Sequence, residues 1–144
     1  MRAIVQRVAW ARVSVDGKVI GQCGPGLLVL AGAHREDTMA NAQKLADRLA
    51  KLRIFNDADG KMNLAISKEQ GMLVVSNFTV YGETAKNRRP SFTDSASYER
   101  GKELVDHLVD ELRRLDFPVE TGEFGADMQV ELLNDGPVTV IVEG

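Results

Sequence analysis

Two short apolar segments, far apart in the chain, restrict its fold more than any other feature of the sequence. The first, LLVLAGA (27–33), is continuously apolar, which is typical of a strand whose two faces are both covered by other elements. The second, GMLVVSNFTVYG (71–82), is apolar and β-branched between two glycines and predicts a strand. A chain of 144 residues is long enough to bury such strands in a single domain, predicted over 1–144, without a disulfide or a metal.

Helical periodicity occurs in two other parts of the chain. Apolar residues recur every three or four positions from Thr38 to Leu52 and again from Ala96 to Leu115, before Pro118 stops the second helix. Other segments have β patterns: 3–15, 52–55, 128–133 and 138–142. A further strand begins at Val19, after the turn Asp16-Gly17, and residues 134–137 join the last two segments. Strands and helices in this irregular order predict an α+β domain with a mixed sheet and two main helices.

The composition excludes several classes of protein. Lys and Arg number 18 against 21 Asp and Glu, so the net charge of −3 is not that of a protein that coats nucleic acid, although it allows a local basic patch. No apolar stretch approaches the ~20 residues that span a bilayer. Cys23 is the single cysteine, so neither an intramolecular disulfide nor a multi-thiolate zinc site can form. We therefore expect a cytoplasmic protein without a membrane segment, a metal or a cofactor.

Histidine-based chemistry has little support in the sequence. His34 falls where a strand ends and a loop begins, and His107 falls on the polar side of the second helix, so we interpret both as structural or solvated residues. The chain has no G-x-S-x-G elbow, no H-E-x-x-H motif and no P-loop. Serine-histidine-aspartate catalysis and zinc hydrolysis are therefore disfavoured.

Three segments nevertheless combine polar groups as a functional site would. SNFTVY (76–81) places hydroxyl and amide groups at the end of a buried strand, where they need partners or a ligand. A loop carries Lys86, Arg88 and Arg89, whose charge and position make them hypothetical phosphate contacts. NDGPVT (134–139) is compatible with an ordinary turn or with a cis Gly-Pro bond. Taken singly, SNFTVY is also compatible with an edge strand whose hydroxyl groups lie in water, and the basic loop is also compatible with an ordinary solvated charge cluster.

Together, these segments resemble the D-aminoacyl-tRNA deacylases. The shared motifs are SNFTVYG, KNRRPSF and FGADMQV…NDGPVT, and the resemblance extends nearly end to end, from MRAIVQRV through LRIFNDADGKMNL. It implies a mixed domain whose strongly curved sheets approach a barrel. It also implies a homodimeric esterase. The enzyme would cleave the ester that joins a D-amino acid, or glycine mischarged onto alanine tRNA, to the 3′-terminal adenosine of tRNA.

The resemblance also implies roles for individual residues. Ser76, Phe78 and Thr79 match the S-Q-F-T segment that lines the pocket around the amino acid and the adenosine, where the ribose 2′-hydroxyl has the decisive chemical role. Gly136-Pro137 matches a Gly-cis-Pro element that enters the partner's pocket and rejects L-aminoacyl groups. The resemblance further places Asn77, Phe124 and Met128 at the pocket, and gives Arg7 the support of the Gly-Pro element.

This chain departs from the family pattern at Asn77, Val80 and Gly82, where glutamine, leucine and alanine are usual. The shorter side chain of Asn77 leaves the role of that amide open, and we expect little consequence from Gly82. Two other functions also remain open: a non-catalytic RNA-binding or proofreading module that holds charged tRNA, and a small hydrolase of D-amino-acid esters or peptides. Release of free D-amino acid separates a deacylase from the first, and a requirement for tRNA separates it from the second.

Overall fold

The computed structural model describes residues 1–86 and 88–144. The strands are β1 (Arg2–Val15), β2 (Lys18–Cys23), β3 (Gly26–Gly32), β4 (Phe55–Asn56), β5 (Met62–Leu64), β6 (Gly71–Ser76), β7 (Val119–Thr121) and β8 (Gln129–Glu143). The α-helices are α1 (Met39–Lys51) and α2 (Tyr98–Arg114), and a 3-10 helix covers Phe78–Tyr81. Within these described residues, no helix combines the length and hydrophobicity that a membrane crossing requires.

The main sheet is mixed and strongly curved. Its order is β2-β1-β3-β6-β7, and β8 pairs with the other edge of β1. Pairing is parallel between β3 and β6 and between β6 and β7, and antiparallel elsewhere in this sheet. Curvature brings the outer strands together, since the Gln22 N–H on β2 donates to the Glu120 carboxylate on β7 at 2.7 Å. A nearly closed, barrel-like mixed sheet with two helices confirms the predicted α+β fold class.

The two central parallel strands are covered on both faces, as the sequence predicts for β3. Their side chains alternate between two apolar clusters, one shared with the helices and one enclosed by the curved sheet. The helix-side cluster includes Leu27, Val29, Met72 and Val74, and the other includes Leu28, Leu73 and Val75. Because successive side chains of a strand point to opposite faces, a strand covered on both faces is apolar at every position.

Both α-helices lie close to their predicted positions. α1 follows Thr38 and buries an apolar stripe. α2 begins two residues later than Ala96 because the Ser97 hydroxyl accepts a hydrogen bond from the Arg100 N–H and caps the helix at that point. The buried stripe of α1 consists of Ala42, Leu45, Ala46 and Leu49.

His107 on α2 is not the solvated residue that the helical pattern predicts. Its side chain is half-buried, and its Nε2 is buried without a hydrogen-bond partner among the described residues. The amphipathic pattern of one helix marks its most apolar face only. Packing against other elements buries further positions along the edges of that face.

Four predicted β segments differ from their observed extents. β6 ends at Ser76 because the 3-10 helix follows at once. In the segment 52–55 only Phe55 belongs to a strand, and it pairs with β5 in a separate two-stranded sheet. The segments 128–133 and 138–142 are two halves of the single strand β8, separated by a bulge. β7 was not predicted, since three residues are too few for a periodic pattern.

Candidate functional site

A cavity of about 950 Å³ opens at the carboxyl ends of the parallel strands β3 and β6. Four segments line much of it: the end of β3 (31–33), the end of β6 with the residues after it (75–79), the start of α2 (96–98) and the segment before β8 (124–128). Ligands of open α/β sheets bind outside the carboxyl ends of the strands. The volume lies at the upper end of the range for ligand pockets, so this cavity is the candidate site.

The segment Ser76–Thr79 turns at the edge of this cavity. The Asn77 N–H donates to the Ala31 carbonyl at 2.8 Å, which is the last link between this segment and β3. The Asn77 side chain then caps the 3-10 helix, since its Oδ1 accepts from the Thr79 N–H at 3.2 Å and from the Thr79 hydroxyl at 2.5 Å. Asparagine is a favoured N-cap because its short side chain reaches the first N–H groups of a helix. In this chain the amide at position 77 therefore shapes the turn.

Phe78 presents its ring and a main-chain donor at the same edge. It is 58% exposed, and its ring contacts the Phe92 ring edge-on with centroids 5.2 Å apart. The Ser95 hydroxyl donates to the Phe78 carbonyl at 3.0 Å and ties the turn to the segment before α2. As the first residue of the 3-10 helix, Phe78 has a backbone N–H without a partner inside that helix.

Gly82 follows the 3-10 helix in close contact with two parts of the site. A Cβ at this position would lie 2.9 Å from the Phe92 ring and 3.0 Å from the Thr79 carbonyl oxygen. Contacts this short force a neighbour to move. An alanine at this position would therefore require the Phe92 ring or the turn to shift, and the small consequence expected of Gly82 stays a prediction.

Phe124 and Met128 also line the cavity, and both are half-buried. The Phe124 ring packs over Gly101 of α2, where a Cβ would lie 3.2 Å from the ring. An apolar ring and a thioether thus line the same cavity as the polar turn Ser76–Thr79. The structure brings together the predicted residues Ser76, Asn77, Phe78, Thr79, Phe124 and Met128.

Gly136 and Pro137 lie on the bulge of β8, and neither is among the described residues that line the cavity of their own chain. The register of β8 on β1 shifts between the two halves of the strand, which leaves this bulge out of the ladder. Both residues are exposed, and the peptide bond between them is cis. Gly136 has a φ of 148°, and a Cβ there would lie 2.6 Å from the Val138 nitrogen.

Arg7 holds the base of the bulge. It lies on β1 and is only 7% exposed. Its Nε donates to the Asp135 carbonyl at 2.9 Å and lies 3.2 Å from the Asp135 carboxylate. Its Nη1 donates to the Ile54 carbonyl at 2.7 Å and to the Asn56 side chain at 3.3 Å. The guanidinium therefore connects the bulge to the start of β4.

Sequence reasoning missed two residues of this region. Asn134 closes the neck of the bulge, since its Nδ2 donates to the carbonyls of Arg7 at 2.9 Å and Val138 at 3.0 Å. Tyr98 lines the cavity from the first position of α2. Neither carries a signal of its own, because asparagine before Asp-Gly is typical of any turn and a single tyrosine belongs to no motif.

The basic loop, defined here by Lys86, Arg88 and Arg89, lies between the 3-10 helix and α2. Asn87 is outside the described residues. The three cationic side chains are exposed and do not line the described cavity. Main-chain hydrogen bonds between Glu83 and Ser91, at 2.8 and 3.0 Å, close the base of the loop beside the aromatic pair at the cavity.

The hydroxyl of Thr79 is bonded to an amide and not to a general base. The nearby His34 packs its ring against Tyr81, with centroids 5.4 Å apart, and its Nδ1 accepts from the Glu36 N–H at 3.2 Å. Burial, with a smaller contribution from Asp37, raises the pKa of Tyr81 to about 12, so this phenol stays protonated at neutral pH. Among the described residues, no cluster of three or more His, Cys, Asp or Glu is placed to hold a metal.

Comparisons with known proteins agree over nearly the whole chain. Residues 4–143 match the family model described as D-Tyr-tRNA(Tyr) deacylase. A protein named D-aminoacyl-tRNA deacylase from Heliobacterium modesticaldum is 51% identical over 145 residues, which cover 100% of this chain and 97% of that protein.

Two solved structures share the fold. The c-Myc DNA Unwinding Element Binding Protein superimposes with a TM-score of 0.93 at 34% identity, and the match covers 100% of this chain and 99% of the other. A probable eukaryotic D-amino acid tRNA deacylase superimposes with a TM-score of 0.80 at 18% identity, covering 99% and 98%. At this lower identity the likeness shows the fold alone.

Proposed function

The chain belongs to the D-Tyr-tRNA(Tyr) deacylase family, and we propose below how its residues serve the reaction of that family. It is a hydrolase of the D-aminoacyl-tRNA ester bond, and its products are the free D-amino acid and tRNA. The finer proposal is that the protein acts in the cytoplasm as a homodimer, also removes glycine mischarged onto alanine tRNA, and rejects L-aminoacyl groups.

The observation that carries this proposal is the convergence of Ser76–Thr79 with Phe124 and Met128 around one cavity. The apolar side chains suit an adenine base, and the polar turn suits a ribose and an ester. A cavity of about 950 Å³ has room for an aminoacyl adenosine. We therefore place the 3′-terminal adenosine of charged tRNA in this cavity.

The turn Ser76–Thr79 is proposed to position the substrate and not to attack it. An aminoacyl ester is already activated, and the neighbouring ribose 2′-hydroxyl can assist the water that adds to its carbonyl carbon. Orientation of reacting groups contributes up to about 7–11 kcal/mol to such a reaction. The Phe78 N–H is the proposed donor to the carbonyl oxygen as negative charge develops, a contribution of about 2.7–4 kcal/mol. The Thr79 hydroxyl, held by Asn77, orients the ribose.

Rejection of L-aminoacyl groups is assigned to Gly136-Pro137 of the partner subunit. Both residues are exposed and lie away from the cavity of their own chain, which supports insertion into a second copy. A rigid main-chain wall blocks the side chain of an L-amino acid and leaves that of a D-amino acid untouched. Such a wall tolerates many D-side chains, and it does not exclude glycine, which has no side chain to clash.

Binding of the tRNA body is assigned to Lys86, Arg88 and Arg89. They are exposed on a loop anchored beside the cavity, and arginine pairs well with phosphate. The low number of cations suits a protein that binds tRNA briefly and then releases it. No cofactor enters the proposed reaction, since water and the substrate supply the reacting groups.

Hydrolysis of paired D- and L-aminoacyl-tRNA tests this function. Purified protein is incubated with D-tyrosyl-tRNA, L-tyrosyl-tRNA and glycyl-tRNA(Ala), and the released amino acid is measured over time. We expect hydrolysis of the first and third substrates only. Equal hydrolysis of the D and L substrates contradicts the proposed wall. Binding of D-tyrosyl-tRNA without release identifies a non-catalytic RNA-binding module instead, and equal cleavage of a D-tyrosine ester without tRNA identifies a small-ester hydrolase.

A further inference from the structure

Tyr98 is a large aromatic side chain that the proposed chemistry does not use. It lines the cavity and is nevertheless 58% exposed. Its ring meets the Phe124 ring edge-on with centroids 5.1 Å apart, and its hydroxyl donates to the Phe124 carbonyl at 3.3 Å. Contacts at both the ring and the hydroxyl hold this exposed side chain in one orientation at the rim of the cavity.

The Tyr98 ring also lies directly against the backbone at Gly125. A Cβ at Gly125 would lie 2.5 to 3.0 Å from atoms of the ring and its hydroxyl, and the φ of 79° at this residue favours glycine as well. Two independent features of Gly125 therefore allow the ring to pack on the main chain. This packing supports the ring at the main chain of Gly125, and the side chain as a whole remains 58% exposed.

We propose that Tyr98 stacks on an unpaired nucleobase of the tRNA, that of the nucleotide before the terminal adenosine. This inference rests on the proposed function, because an adenosine in the cavity directs the preceding nucleotide out past the rim. Tyr98 is exposed at that rim, whereas Phe124 is more deeply buried. A rigid, exposed aromatic ring is the platform on which proteins stack single-stranded bases.

The charges around Tyr98 favour a base over a phosphate. Glu99 follows it in the sequence, Asp127 lines the same cavity, and both carboxylates repel a phosphate. Arg100 donates to Glu103 at 2.5 Å and to the Asp37 carbonyl at 3.1 Å. Lys102, one helical turn after Tyr98, donates to Asp106 at 2.5 Å. Stacking needs no charge, so the contribution of Tyr98 to binding should not depend on salt, unlike that of the basic loop.

Kinetics on two substrates test this inference. One substrate is D-tyrosyl-tRNA, and the other is D-tyrosyl-adenosine, which lacks every preceding nucleotide. Tyr98→Ala should raise KM for the tRNA by about 5- to 150-fold with kcat unchanged, the loss expected for one stacked base. Because Tyr98 also lines the cavity and contacts Phe124, the same variant should raise KM for D-tyrosyl-adenosine as well, but by a clearly smaller factor than for the tRNA. Tyr98→Phe keeps the ring and loses only the hydrogen bond to Phe124, so it should raise KM for the tRNA far less than Tyr98→Ala does. Val19→Ala, a control at an exposed apolar residue on β2 that does not line the cavity, should behave as wild type.

A tRNA without the base at the penultimate position supplies a second readout. Wild-type KM for this abasic substrate should rise toward that of Tyr98→Ala for the intact substrate, and Tyr98→Ala should raise it further only by the smaller factor seen with D-tyrosyl-adenosine. The inference would be overturned if Tyr98→Ala raised KM equally for D-tyrosyl-tRNA and D-tyrosyl-adenosine. It would also be overturned if the variant left KM for the intact tRNA unchanged. If wild-type protein hydrolyses no D-tyrosyl-tRNA, the proposed function fails. The stacking inference is then tested by the affinity of the protein for uncharged tRNA. An affinity about 5- to 150-fold lower in Tyr98→Ala supports stacking, and an unchanged affinity refutes it.

Discussion

The guanidinium of Arg7 contacts Asp135 at two points, the carbonyl at 2.9 Å and the carboxylate at 3.2 Å. Arg7 is buried on β1, and Asp135 immediately precedes Gly136 on the exposed bulge of β8. A side chain anchored in the sheet thus holds the loop that we propose acts in the partner subunit. A functional loop supported from a rigid element keeps its geometry better than a free one.

Replacement of Arg7 by lysine should loosen the bulge. Lysine lacks the planar fork, so the acceptors at Ile54, Asn56 and Asp135 cannot all be satisfied. We expect the free energy of unfolding to fall by about 1–3 kcal/mol, and deacylation of D-tyrosyl-tRNA to fall by more than any loss of folded protein explains. Urea unfolding and the deacylation assay measure the two effects.

Arg12→Gln, which removes an exposed ion pair with Glu131, is the control and should change the free energy of unfolding by less than about 1 kcal/mol. Full activity in Arg7→Lys would contradict the supporting role.

Addition of one methyl group at Gly136 should displace the main chain of Gly136-Pro137, which we propose blocks L-aminoacyl groups. The φ of 148° and the 2.6 Å approach to the Val138 nitrogen are incompatible with alanine, so the loop must shift. We expect Gly136→Ala to reduce deacylation at least about tenfold while stability falls by no more than about 1–3 kcal/mol, since the bulge is exposed. Gly24→Ala is the matched control, because no residue that the structure describes has an atom within 4 Å of a Cβ at that position. A wild-type rate in Gly136→Ala would show that this loop does not contribute to the site.

Removal of the Thr79 hydroxyl distinguishes orientation from nucleophilic attack. If Thr79 only orients the substrate, Thr79→Ala retains part of the activity, whereas loss of a nucleophile abolishes nearly all of it. We expect the partial loss, since this hydroxyl is bonded to the Asn77 amide. In the same assay, a tRNA with a 2′-deoxy terminal adenosine should be the poor substrate for the wild-type protein. If Thr79→Ala lost all deacylase activity and the wild-type protein cleaved the 2′-deoxy substrate normally, Thr79 would be the nucleophile and not an orienting residue.

Neutralisation of the basic loop should weaken the binding of all tRNAs alike. Lys86, Arg88 and Arg89, replaced together by alanine, should raise KM and reduce the slope of log KM against log salt by about 1 per cation removed. A matched control replaces Lys44, Arg48 and Lys51, three exposed cations of α1 that do not line the cavity. An unchanged salt slope in the loop variant, or an equal change in the control, would remove the loop from the tRNA interface.

Periodicity predicted the central elements because burial constrains every residue in them. The continuous apolar run of β3 and the apolar stripe of α1, from Ala42 to Leu49, follow directly from which faces are covered. The prediction was wrong at residues 77–82, where the side chain of Asn77 caps a 3-10 helix although the β-branched pattern continues. A local side-chain hydrogen bond outweighed strand propensity at that position.

The candidate site was predicted unevenly. Ser76–Thr79, Phe124 and Met128 were identified through motifs and lie around one cavity. Tyr98 was not identified, because its position at the rim depends on how α2 packs beside Phe124. The supporting hydrogen bonds of Asn134 were also missed, since they form only when the two halves of β8 lie along β1.

The sequence by itself determined the buried strands, the helix faces, the resemblance to the family and several residues of the candidate site. These features depend on residue type and spacing, which local physical chemistry translates into burial and turns. Only the tertiary structure decided that Tyr98 lies at the rim of the cavity and that Asn134 joins Arg7 to the bulge of β8. Contacts between residues more than a hundred positions apart depend on the curvature and register of the whole sheet, and no local segment of the chain encodes either one.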